Sequence, residues 1–112
     1  MTKNPVLQQD KKLTITMRLE PGCLGPDGTE HIEGFCRVAQ ERLGGVDTAF
    51  VHWSFVPRHD KSLPEMQYDV AGKRLSKPMA RRYLELFGRE FDEFEAQLHD
   101  QIAGLIEQYL GR

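Results

Sequence analysis

The sequence predicts an α+β fold: a small mixed three-stranded sheet in the order β-α-β-β-α-α, with helices packed mainly on one face and a long C-terminal helical segment. Three observations carry this. Residues 12–20 alternate apolar and polar side chains, residues 27–43 repeat apolar side chains at the helical period, and the last third keeps a helical apolar register almost to its end. At 112 residues the chain is of single-domain size. Its 39% hydrophobic and 29% charged residues argue against disorder.

Residues 1–10 carry no period and read as a flexible lead-in to a single domain over residues 11–112. In residues 12–20, Leu13, Ile15, Met17 and Leu19 share one face, opposite Thr14, Thr16 and Arg18, which describes a half-buried strand. Pro21 and Gly22 end it. A helix then starts near Asp27, which has Glu30 at capping-box spacing, with Thr29 as the alternative cap. Ile32, Phe35, Cys36, Ala39 and Leu43 fall on one helical face. Gly34 within this helix suggests a close approach by another backbone, and Gly44 is placed for a left-handed residue after the helix end.

Residues 46–56 read as a second strand, with Ala49, Val51, Trp53 and Phe55 opposite Phe50, His52, Ser54 and Val56. Both faces are fairly apolar, so a central position is expected. After a charged loop over residues 57–64, residues 65–75 read as a third strand, with Gly72 marking a bulge or the end of pairing. The strand–helix–strand order predicts a right-handed crossover with parallel strands, and the third strand then returns antiparallel.

Ser76 is a candidate cap and Pro78 lies in the first turn of the helical last third. Tyr83, Phe87, Phe91, Phe94, Leu98, Ile102, Leu105 and Tyr109 maintain the register. One helix over residues 76–110 would be about 52 Å long, too long for a domain with a radius of gyration near ~13 Å. A break at Gly88 is therefore favoured, with Asp92 and Glu95 repeating the capping spacing beyond it.

Two whole classes are disfavoured by composition. No apolar run approaches the ~20 residues of a membrane span, and a net charge of −2 gives no overall field for nucleic acid. Lys73, Arg74, Lys77, Arg81 and Arg82 do form a basic cluster, but residues 85–107 beside it hold seven acids against one Arg. Nucleic acid is thus an unlikely partner, and solvated or complementary dimer surfaces fit the charges better. The polar N-terminus has no apolar signal core, so a cytoplasmic location with both cysteines reduced is expected.

Cys23 lies in the Gly/Pro-rich loop over residues 21–28, between a strand and a helix, where a helix N-terminus can depress a thiol pKa. A nucleophilic thiol needs a base, and His31, His52 and His59 are the candidates. The competing reading is a loop tucked onto the core. Gly25 and Gly28 could aim N–H groups at an anion, with Trp53 and His59 as neighbours in a ligand pocket. Against this, Asp27 and Glu30 place negative charge where a phosphate would sit, and a turn needs Gly and Pro in any case. Cys36 reads as core. No ligand spacing for a metal is present, and no cofactor is expected. Tyr83, Phe87, Phe91 and Phe94 serve either the core or a homodimer interface.

The run from Glu20 to Gly28, the Ile32-Glu33-Gly34-Phe35-Cys36 helix and the segment from Trp53 to Lys61 together resemble small conserved bacterial proteins of unassigned function. The resemblance implies no activity, cofactor or site residue. The sequence therefore predicts a non-enzymatic accessory or interaction domain that homodimerises through its C-terminal helices. The alternatives are a small-ligand or anion-binding protein using the 21–28 loop, and a thiol-dependent enzyme with Cys23 as nucleophile.

Overall fold

In the computed structural model, residues 11–111 are described, and the expected lead-in over residues 1–10 lies outside them. Strand β1 (Leu13–Leu19) has the predicted alternation, with its four aliphatic and Met side chains buried. A 3-10 turn over Pro21–Leu24 leads into α1 (Gly28–Leu43). Strand β2 (Val51–Pro57) runs parallel to β1, and β3 (Met66–Val70) pairs antiparallel on the other side of β1. A short β4 (Lys73–Arg74) pairs with β3, and helices α2 (Lys77–Leu86) and α3 (Phe91–Tyr109) complete the chain. The sheet order is β2-β1-β3-β4.

The sheet thus has four strands rather than the three expected. Residues 65–75 do not form one strand, because Ala71 and Gly72 both take positive φ values, 54° and 77°. Two consecutive left-handed residues make the tight turn that matches strand twist. The Leu75 N–H returns to the Tyr68 carbonyl at 2.8 Å.

A second correction concerns β2, which is an edge strand and not central. The expectation rested on two apolar faces, but a central strand needs both only where helices cover both sides of the sheet. Here the helices cover one side. On that side Ile15 is in register with Trp53 and Tyr68, and all three are buried. On the other, Thr16 is flanked by Ser54 and Gln67, a polar half-buried row. Phe50 lies ahead of β2 and is buried through a stacked contact with Phe87, centroids 4.5 Å apart.

The apolar face of α1 is buried as predicted. Asp27 occupies the cap position without a side-chain hydrogen bond, so the expected capping box does not form. Gly44 is right-handed at φ −66°, not left-handed; a Cβ there would lie 2.3 Å from the Gln40 carbonyl oxygen. Crowding at the helix end therefore explains this glycine, and the left-handed turn falls at Asp47 instead, φ 52°. Gly34 faces the Tyr109 side chain of α3 rather than a backbone.

The break at Gly88 is present. Its φ is 77°, its N–H bonds the Glu85 carbonyl at 3.0 Å, and Arg89 N–H bonds the Leu84 carbonyl at 2.9 Å. These two bonds are the Schellman closure of a helix. Ser76 caps α2 by accepting from the Met79 N–H. The next cap is Glu90, not Asp92: its carboxylate accepts from the N–H groups of Asp92 at 3.1 Å and Glu93 at 2.9 Å. The radius of gyration is 14.9 Å and the principal extents are 50 × 31 × 23 Å. Among the described residues, no helix is long and apolar enough to cross a membrane.

Candidate functional site

The 21–28 loop is built by hydrogen bonds that turn inward. Cys23 N–H bonds the Glu20 carbonyl at 3.1 Å, Gly25 N–H the Gly22 carbonyl at 3.1 Å, and Gly28 N–H the Gly25 carbonyl at 3.0 Å. The donors expected to converge on an anion at Gly25 and Gly28 are thus committed to the turn. Gly28 is buried, and a Cβ there would sit 1.7 Å from the Pro21 carbonyl oxygen. Leu24 points into the core. The glycines and prolines of this loop answer to close packing.

Cys23 is exposed in the 3-10 turn, outside α1. Its thiol pKa is raised, first by burial of its surroundings and also by the Glu20 carboxylate, against a lowering backbone hydrogen bond. The shift is opposite to the one expected for a helix-activated nucleophile. Glu20 is held by Arg58 at 2.8 Å, and Arg58 also donates to the Leu63 carbonyl at 3.0 Å, which anchors the 57–64 loop. No hydrogen bond joins Cys23 to His31 or His59 among the described residues. His31 instead meets the Tyr109 ring edge-on. Cys36 is buried and its pKa is pushed up to about 11, by desolvation first and by Cys23 and Glu33 second.

Trp53 is a core residue. Its indole N–H donates to the Val46 carbonyl at 2.7 Å, and its ring stacks on Phe94 and Phe55. The small cavity it touches, about 60 Å3, is lined also by Asp47, Arg89 and Phe94, not by the 21–28 loop. His59 is exposed in the 57–64 loop. The predicted ligand set of Cys23, Gly25, Gly28, Trp53 and His59 is therefore divided between a surface turn, a core position and a second loop.

The aromatic stripe packs within the chain. Phe91 and Phe94 are only 2% and 8% exposed, against Tyr68 and Trp53 respectively. Phe87 stacks on Phe50, and the Tyr83 hydroxyl donates to the Lys11 carbonyl at 2.8 Å. What α2 leaves outside is a different row. Met79 and Leu86 are 54% and 79% exposed. They border a groove of about 310 Å3 between α2 and the β3–β4 hairpin, lined with Val70, Leu75, Arg82 and Tyr83. Lys73, Arg74 and Lys77 flank Leu75 in the chain, and with Arg82 they make no ion pair among the described residues. Arg81, by contrast, bridges to Glu90 and Asp92, each at 3.5 Å, and covers the Phe91 ring. The sequence carried a signal for this groove: Met79, Tyr83 and Leu86 at i, i+4 and i+7 form a second row beside Ala80, Leu84 and Phe87.

A polar cleft of about 240 Å3 lies between the start of β3 and α3, lined by Glu65, Met66, Lys77, Glu95 and His99 among others. The buried Tyr68 hydroxyl donates to Glu95, and its pKa is raised by burial and then by that carboxylate. Tyr68 therefore stays protonated and holds Glu95 in place. His99 stands 3.6 Å from Glu65. These pairs close on one another, and no trio of residues with metal-holding geometry occurs among the described residues. Compared with protein-family models, curated proteins and solved structures, the chain matches none.

Proposed function

We propose that this protein is a non-enzymatic interaction domain whose docking face is the groove between α2 and the β3–β4 hairpin. The observation that carries the reading is the exposure of Met79 and Leu86 beside an apolar cavity, while the other large apolar side chains among the described residues are almost all covered. Leaving such side chains in water is unfavourable, and a contiguous exposed apolar face of this kind marks an interaction site. The thiol reading loses support because the Cys23 pKa is raised. The anion reading loses it because the loop N–H groups are occupied. Two free thiols fit a reducing compartment, so we place the protein in the cytoplasm.

A photo-crosslinking residue at Leu86 or Met79, in the source cells, tests the docking face. The expected result is a discrete adduct from these positions, unaffected by Cys23→Ser and absent from the exposed control position Gln101. No adduct from either groove position sinks the reading.

A second copy is the rival occupant, as the sequence expectation of a dimer through the C-terminal helices requires. In an isologous dimer the same patch meets itself. Arg82, and Lys73 beside the lining residue Val70, would then face their own images, and like charges opposed at an interface are costly. Nucleic acid would engage the cations but leave the apolar groove unused.

A further inference from the structure

The groove joins two features that a single partner must satisfy: an apolar concavity and a cationic border. Val70, Leu75 and Tyr83 are half-buried and form its floor, while Met79 and Leu86 stand on its rims. A flat bilayer surface would reach the rims and not the floor. An inserted side chain reaches both. The volume, about 310 Å3, has room for one or two large apolar side chains.

The border selects the sign of what surrounds those anchors. Several arginines elsewhere have partners. Arg18 bonds the Pro64 carbonyl and Gln67, Arg58 pairs with Glu20, Arg81 with Glu90 and Asp92, and Arg89 with Asp47 at 2.6 Å. Arg82, which lines the groove, and Lys73, in register with its lining residue Val70, make no ion pair among the described residues, and α2 itself offers only Glu85. Resting on the interaction reading, we infer that the groove receives a short amphipathic segment of a partner protein, presenting apolar anchors flanked by Asp or Glu. The 10-residue α2 is about 15 Å long, which matches two to three turns of a docked helix. Anchors in the groove supply affinity, and the carboxylates over Lys73 and Arg82 supply orientation and on-rate.

The test is a selection of random 12-residue displayed peptides on the full chain, followed by binding of the enriched synthetic peptides. The expected peptides carry two apolar residues at i and i+3, i+4 or i+7 with acidic flanks. Their affinity should fall about tenfold or more for Leu86→Asp, as for loss of a central anchor. It should fall several-fold for the double variant Lys73→Glu, Arg82→Glu, and should weaken with added salt. These positions are exposed, so unchanged melting temperatures confirm that the variants fold. Enriched peptides that are neutral or basic yet lose binding to Leu86→Asp leave the docking face standing and overturn the acidic partner. Peptides indifferent to Leu86→Asp overturn both. Failure to enrich any peptide, with Leu86-dependent binding to phosphatidylserine vesicles, overturns the peptide in favour of a membrane surface.

Discussion

At Cys23 the neighbouring groups act against the thiolate. Burial of the sulfur's surroundings and the Glu20 carboxylate both raise the pKa, and the one lowering contribution is a backbone hydrogen bond. Alkylation by iodoacetamide should therefore stay slow at neutral pH and accelerate only above the ordinary thiol range of about 8.5. A midpoint below pH 8 would contradict this and restore Cys23 as a nucleophile. The neighbouring Cys36, pushed up to about 11, has a consequence for stability. Its thiol ionises in the unfolded chain before it does so in the folded one, so its contribution is intact below the unfolded pKa and declines from about pH 9 to 11. Thermal melts should show a steeper loss over that window in the native chain than in Cys36→Ala, and parallel curves would count against it. Gly28 is the most sensitive single position in the loop. The added methyl of Gly28→Ala would overlap the Pro21 carbonyl, and the forced separation of turn and helix should cost about 3 kcal/mol, the upper end of overpacking effects. A chemical-denaturation midpoint within error of the native chain would refute it. The sequence announced these glycines, but the same letters that suit an anion nest also suit a tight turn, and only the direction of the N–H groups separates the two.

The helices and strands show which signals were legible. Local chemistry read correctly wherever it was unambiguous: the β1 alternation, the apolar face of α1, the Ser76 cap and the break at Gly88. It failed where two rules competed. The sequence pointed to Asp92 as the cap, but Glu90 takes that role, its carboxylate accepting from the Asp92 and Glu93 N–H groups while Phe91 enters the core. Residues 65–75 alternated well enough for one strand, but Ala71 is not a residue that signals a left-handed turn, so the hairpin was hidden. The position of β2 at the sheet edge was equally hidden, since strand order is a long-range property. That edge carries its own protection. Gln40 of α1 donates to the Trp53 carbonyl and accepts from the Phe55 N–H, both at 3.0 Å, so one side-chain amide stands in for a neighbouring strand. Gln40→Ala leaves both groups without that partner. It should cost about 1–2 kcal/mol and increase aggregation on heating, as an uncovered edge invites pairing. A variant as stable and as soluble as the native chain would show that solvent replaces the amide at no cost.

Across the whole molecule, the three helices share one side of the sheet, and the aromatic residues that looked available for a partner are what hold those helices down. Phe87, Phe91 and Phe94 bridge α2 and α3 to Phe50, Tyr68 and Trp53. The Arg89–Asp47 pair, at 2.6 Å and 3.1 Å, fastens the α2–α3 junction to the segment ahead of β2. On the proposed reading, association uses the α2 groove, where apolar surface favours contact while Arg82 and Lys73 oppose contact with an identical copy. These two tendencies separate with salt. At physiological ionic strength the Debye length is about 8 Å, and it falls to about 3 Å at 1 M. Charge repulsion across a two-fold axis should be strongly screened in the second case, while apolar burial is not weakened. Sedimentation velocity should therefore find a monomer at physiological salt and weak self-association as the salt concentration rises, with Leu86→Asp remaining monomeric throughout. The opposite trend, a dimer at low salt that dissociates as salt is added, would mean that complementary charges join two copies. In that case the acidic α3 of one chain would be the partner of the basic α2 of the other.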